Sequence, residues 1–131
     1  MNYPEAPMTG VIPYLSVEGA SDAAALYQKA FGATEIFRMP SDDGKTLMHC
    51  HLLINQGSFM LSDCCAEAGH ERPGGFVMHL QVDDSEAWWQ RALDAGLEVT
   101  MPLELQFWGD IFGQVRDRFG VTWSIASKPK A

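Results

Sequence analysis

Cysteine is scarce in this chain: Cys50, Cys64 and Cys65 are the only three among 131 residues. An odd count excludes a fully paired disulfide framework. The adjacent pair, with Cα atoms about 3.8 Å apart, falls short of the roughly 4.4–6.8 Å that an ordinary bridge spans. All three are therefore expected as reduced thiols of a cytoplasmic protein, and a Cys64–Cys65 metal pair would find only His70 nearby as a further ligand. Positive charge is also short. Nine Lys and Arg stand against seventeen Asp and Glu, for a net charge of −8, and the nine are scattered. Such a surface gains nothing from counterion release or from anionic lipid, so neither nucleic acid nor membrane is an expected partner. No apolar run approaches the ~18 residues needed to cross a bilayer. The first ten residues hold Glu5 and two prolines in place of the basic start and apolar stretch of a secretory signal.

What is present is ordinary for a packed domain: 47% hydrophobic and 20% charged residues, in a length that one hydrophobic core can serve. An internal repeat organises it. Tyr14-Leu15-Ser16-Val17-Glu18 matches His79-Leu80-Gln81-Val82-Asp83, and Asn55 to Met60 matches Arg118 to Trp123. One module runs from about 11 to 63 and the other from about 75 to 127. The stretch 64–74, with Gly69, Pro73 and Gly74, is the expected linker, with His70 solvated on it.

Within each module the apolar period changes from two to about 3.6 and back, predicting strand, helix and three strands. Ala20 to Phe31 is the first expected helix, capped by Ser21 or Asp22, packing through Ala23, Tyr27, Ala30 and Phe31, and stopped by Gly32. The second is capped by Asp84 or Ser85, packs through Trp88 or Trp89 with Ala92 and Leu93, and ends at Gly96. The fold class is therefore α+β, with two tandem βαβββ modules in one domain. Asp42-Asp43-Gly44 is expected as a turn, and Asp63 and Asp117 as turn caps.

Period-two alternation also assigns faces, since one face of each sheet must lie under its helix. The buried sets are Val11, Leu15 and Val17; Met48, Cys50, Leu52 and Ile54; Phe76, Met78, Leu80 and Val82; and Val121, Trp123 and Ile125. Under its helix, Cys50 is expected to be inert. The opposite faces carry Ile12, Tyr14 and Ser16; Leu47, His49, His51 and Leu53; Val77, His79 and Gln81; and Thr122, Ser124 and Ala126. The repeat register adds Trp108, Asp110, Phe112, Gln114 and Arg116, unless a bulge between Phe107 and Gly113 inverts part of that set. A solvated face would carry Lys and Glu, whereas these carry His, Tyr and Trp. They suit the lining of a small-molecule cleft, whose expected ligand-binding residues are Tyr14, His49, His51, His79, Trp108 and Asp110.

The doubled βαβββ unit resembles the vicinal oxygen chelate superfamily of glyoxalases, bleomycin-resistance proteins and extradiol dioxygenases. Several stretches resemble its PhnB-like branch: Ile12-Pro13-Tyr14-Leu15, Leu26-Tyr27 through Phe31-Gly32-Ala33, Met48-His49, Met60-Leu61-Ser62-Asp63, Phe107-Trp108-Gly109-Asp110, and Val115 to Gly120 with Trp123. Arg118 and Val121 stand where relatives often have proline and histidine. The resemblance implies a curved mixed-sheet cleft, a homodimer, and metabolism that is phosphonate-related or uncharacterised. A methyltransferase label attached to some relatives finds no S-adenosylmethionine motif here.

The superfamily's metalloenzymes hold a divalent ion at positions that fall here on Ile12, Leu61, Val77 and Ser124. Three are apolar and offer no lone pair, so no metal cofactor is expected at that site. A different divalent site on His49, His51 and His79, completed by Asp110, is weaker than hydrogen bonding of the same histidines in a polar cleft. Two functions follow. The first is a small-molecule binding protein. The second is an enzyme of unknown reaction, metal-dependent or using His49 or His79 as general base with Asp110 orienting it. Ser16 and His79 lack the elbow motif of a hydrolase.

Overall fold

The computed structural model describes residues 4–8, 10–63 and 76–130. The chain divides into two compact units, Met1–Pro73 and Gly74–Ala131. The expected linker, Cys64, Cys65 and His70 lie outside the described residues.

In the first unit, β1 (Tyr14–Val17) leads into α1 (Ala20–Phe31), followed by β2 (Thr34–Pro40), β3 (Leu47–Ile54) and β4 (Gly57–Asp63). The sheet order is β1-β4-β3-β2, parallel between β1 and β4 and antiparallel elsewhere. The expected helix and its Gly32 stop hold, with Gly32 in the left-handed region at φ 65° where no Cβ obstructs it. Its expected cap does not. The N-terminal N–H groups of Gly19 and Ala20 are taken by Asp63 Oδ1 at 2.8 and 3.0 Å, while Oδ2 accepts from Leu47 N at 2.7 Å. One carboxylate at the end of β4 thus closes the helix start and anchors the start of β3. Ser21 instead accepts from the Arg38 guanidinium.

The core beneath α1 is Leu15, Val17, Cys50, Leu52, Ile54, Phe59 and Leu61, with Tyr27 edge-on to Phe59 at 5.7 Å. Two residues assigned to this set are out of it. Val11 is 99% exposed because β1 begins only at Tyr14. Met48 is 62% exposed, lying where the β2–β3 register jumps between the pairs Met39–His49 and Pro40–Leu47. The Asp42-Asp43-Gly44 turn forms as expected, with Asp43 Oδ1 accepting from Ser41 Oγ and Lys45 N.

The second unit repeats the plan: β5 (Met78–Gln81), α2 (Ser85–Asp94), β6 (Glu98–Leu105), β7 (Ile111–Arg116) and β8 (Thr122–Ser127), in the order β5-β8-β7-β6. Again only the β5–β8 pair is parallel. Asp84 caps α2 through Ala87 N, as expected. Of the two tryptophans on α2, Trp89 lies over the sheet: a Cβ built on Gly113 would stand 2.7 Å from its ring and 2.9 Å from Leu103 Cα. Leu80, Val82, Val115, Val121, Trp123 and Ile125 are buried as assigned or by parity. Phe76 is 40% exposed, since it precedes β5. Trp123 Nε1 donates to Asp117 Oδ2 at 2.9 Å, and Asp117 Oδ1 accepts from Phe119 N and Val121 N. Asp117 therefore caps the β7–β8 turn and ties the core indole to it.

The two units equate Tyr14–Met60 with His79–Ser124, paired residues of each parallel ladder. The last strands therefore match one residue differently from the motif comparison. Met60, not Leu61, is the counterpart of Ser124. A slip of one residue exchanges the faces of a strand, and Leu61 accordingly lies fully buried with the residues under α1.

Candidate functional site

The open face of the first sheet is built by alternation. Tyr14 on β1, Met60 on β4 and His51 on β3 are Cα partners in adjacent strands, and Phe37 faces His51 from β2. Tyr14 Oη lies 2.9 Å from His49 Nδ1, their ring centroids 5.5 Å apart, and Phe37 approaches His49 at 6.2 Å. The two histidines of the His-x-His sequence have different fates. His49 is half-buried and lines a concavity of about 560 Å³ with Pro4, Glu5, Ala6, Met8 and Met60. His51 has no exposed surface; its Nε2 lies 2.8 Å from Ser58 Oγ, which in turn donates to the Pro7 carbonyl. Burial, then the charge of His49, pushes the His51 pKa below the usual histidine value. The N-terminal segment thus lies across this face. No periodicity or motif in Pro4 to Met8 announces it, because its attachment is a backbone carbonyl.

The second unit's open face is organised around His79. Its Nδ1 lies 2.6 Å from Ser124 Oγ and its Nε2 lies 2.9 Å from Gln81 Oε1. Phe112 stacks on the imidazole, 6.0 Å between centroids with 19° between planes. Trp108 meets Phe112 edge-on at 5.4 Å, and Phe107 meets Trp108 at 5.0 Å. His79 and Trp108 are exposed while Ser124 is 1% exposed.

Trp108 reaches this face by a different route from the one expected. It sits with Asp110 in the hairpin turn between β6 and β7, closed by Gln106 N to Asp110 O at 2.8 Å and by Gly109 N to Gln106 O at 3.0 Å. Strand alternation does not govern a turn. The ring is placed instead by contact with Phe112, whose own facing follows the strand rule.

Each of the six expected residues can now be located within its own unit. Tyr14 and His49 are in contact on the first, with His51 buried beside them; His79 and Trp108 share the aromatic row of the second, with Asp110 in its turn. Asp110 does not orient His79, whose ring nitrogens are engaged by Ser124 and Gln81. Those two, with Phe112, are the residues that the expected set left out. Each lies on the strand face assigned to the cleft, beside His79 along β5 or across the β5–β8–β7 pairing, so strand pairing is the signal that marks them.

The four positions carried over from metalloenzymes do not fit a divalent ion. Leu61 lies under the helix and its cleft-side counterpart is the thioether of Met60; Ile12 and Val77 are hydrocarbon; the hydroxyl of Ser124 is bonded to His79. Among the described residues, no three His, Cys, Asp or Glu side chains gather as a metal site requires. Cys50, buried beneath α1 and beside Glu35, has its thiol pushed up to about 11, mainly by burial, and so is nearly all thiol at neutral pH.

Comparison with known proteins agrees with this architecture. The profile of the Glyoxalase/Bleomycin resistance protein/Dioxygenase superfamily matches residues 11–125. An uncharacterized protein of Mycobacterium tuberculosis is 42% identical over 121 residues, covering 86% of this chain and 71% of that protein. The crystal structure of protein PA1353 from Pseudomonas aeruginosa superimposes with a TM-score of 0.80 at 29% identity, covering 94% of this chain and all of that one. The PhnB protein of Bacillus cereus shares the fold, with a TM-score of 0.74 at 18% identity over 91% of this chain and 99% of that one. Among the described residues no helix is long and apolar enough to cross a membrane.

Proposed function

This chain belongs to the Glyoxalase/Bleomycin resistance protein/Dioxygenase superfamily, and from that premise we propose that it binds a small molecule on its open sheet faces without the metal-ligand set of the family's metalloenzymes. Tyr14 and His49 serve on one unit, His79 and Trp108 on the other, with His51 on the first face linked through Ser58 to the N-terminal segment and Asp110 in the turn that carries Trp108. The observation that carries the reading is the second unit's row of His79, Phe112 and Trp108, in which a buried hydroxyl holds an exposed imidazole. A face meant only for water has no use for an aromatic row, since each exposed ring forgoes burial that is otherwise favourable. A few fixed polar groups amid aromatics is the composition that orients a small ligand. Residence in the cytoplasm and pairing as a homodimer complete the proposal.

Two measurements on protein purified without a histidine tag test it. Metal analysis is expected to show far less than one divalent ion per chain. Saturation-transfer NMR against a collection of small aromatic compounds is expected to find binders that Trp108→Ala loses. Near-stoichiometric tightly held metal would overturn the metal-free reading. Binders indifferent to Trp108→Ala, His79→Ala and His49→Ala alike would overturn the site.

A further inference from the structure

We propose that the second unit's open face selects a flat, uncharged molecule carrying a carbonyl oxygen, such as an aromatic amide or ketone, and that Ser124 is the positioning residue that presents the His79 Nε2 proton to it. This rests on the small-molecule reading above and adds the chemistry of the ligand. An amide oxygen can only accept, so the 2.9 Å contact of His79 Nε2 with Gln81 Oε1 requires the proton on Nε2. In the neutral ring Nδ1 then holds a lone pair, which receives the Ser124 hydroxyl proton across 2.6 Å. Ser124 lies on the inner strand β8, 1% exposed, directly opposite His79 in the β5–β8 ladder. The imidazole therefore has one end fixed from within the sheet and a donor at its other end.

Gln81 shows what that donor takes. Its side-chain amide already satisfies Nε2–H, from two residues along the same strand and from an exposed position. A ligand carbonyl that displaced it would exchange one neutral hydrogen bond for another of the same kind. Selectivity then comes from the ring system. Phe112 lies nearly parallel to the imidazole and Trp108 stands edge-on beyond it, offering a planar group the offset and edge contacts that aromatic pairs favour. A chain of net charge −8 repels an anionic carboxylate that would otherwise compete for the same donor.

The test uses the whole chain, ¹⁵N-labelled, with benzamide, toluene, acetamide and benzoate as probes. Long-range ¹H–¹⁵N spectra of the free protein at pH 7.5 or above are expected to show His79 with Nε2 protonated and Nδ1 bare. Benzamide should move both the His79 Nε2–H signal and the Trp108 indole signal. Toluene, acetamide and benzoate should each bind roughly three- to tenfold more weakly, the range of one net hydrogen bond or ring contact. Gln81→Ala should tighten benzamide by removing the internal competitor. Ser124→Ala should redistribute the proton between the two nitrogens and weaken benzamide, with Ser124→Thr restoring both; a purely packing role for Ser124 would leave the tautomer unchanged. A bare Nε2 in the free protein, or toluene binding as tightly as benzamide, overturns the carbonyl class while the small-molecule reading stands. If other aromatic compounds also leave Trp108 unmoved, it is that earlier reading that falls.

Discussion

Comparing Trp108→Ala with Trp123→Ala tests which indole of the second unit lies in the core and which lies on the open face, without knowledge of any ligand. Trp123 is 1% exposed beneath α2, and its indole N–H is bonded to Asp117 at 2.9 Å within the core. A buried tryptophan withdraws ~150–250 Å² from water. At about 25 cal/mol per Å² that is roughly 4–6 kcal/mol, and truncations of buried aromatics to alanine cost about 3–5 kcal/mol. Trp108 is 48% exposed and touches Phe107 and Phe112 by ring edges and faces. Its loss removes contacts of the kind worth about 0.5–1.5 kcal/mol. The difference of about 3 kcal/mol, with a urea slope near 2 kcal/mol per M, separates the two midpoints by about 1.5 M. Urea melts followed by far-ultraviolet circular dichroism, run side by side, measure it. Trp123→Phe, which keeps a large ring and loses the donor to Asp117, should fall between the two. A greater loss for Trp108→Ala than for Trp123→Ala would mean that Trp108 is packed in the core and not beside Phe112, and the aromatic row next to His79 would fall with it.

Three further outcomes follow from single contacts. Gly113→Ala should destabilise by about 1–3 kcal/mol as the new methyl meets the Trp89 ring and the Leu103 backbone; an unchanged urea midpoint would show that α2 does not sit where its tryptophan puts it. Asp63→Ala should cost about 1–3 kcal/mol by leaving the N–H groups of Gly19, Ala20 and Leu47 without their carboxylate, whereas Ser21→Ala should cost far less; thermal melts that reverse this order would restore Ser21 as the cap. Burial holds the His51 pKa below its unfolded value near 6.5, so the unfolded chain takes up the proton first as pH falls. The His51 contribution is then complete above pH 6.5 and is lost progressively below it. His51→Gln should flatten that part of the stability–pH curve between pH 7 and 5, and an equally steep curve in the variant would assign the dependence elsewhere.

Much of this molecule was legible in the order of its residues, for local reasons. The repeat, the first helix from Ala20 to Phe31 with its glycine stop, and the burial of Leu15, Val17, Cys50, Leu52, Leu80, Trp123 and Ile125 follow from periods of two and 3.6 that the backbone imposes on neighbours in sequence. So did the presence of His49 and His79 away from the helices. Tertiary structure decided whatever depends on groups remote in sequence. Asp63 replaces the expected cap of α1 because β4 ends beside the start of that helix, 44 residues from Gly19. Leu61 and Met60 exchange roles because a single residue of register reverses every side chain of a strand, and weak sequence identity between repeats cannot fix register to one residue. Trp108 joins His79 through a ring contact made from a turn, where no period holds. His51 is tied through Ser58 to a carbonyl of the N-terminal segment, and a backbone oxygen, present at every residue, leaves no mark in a sequence.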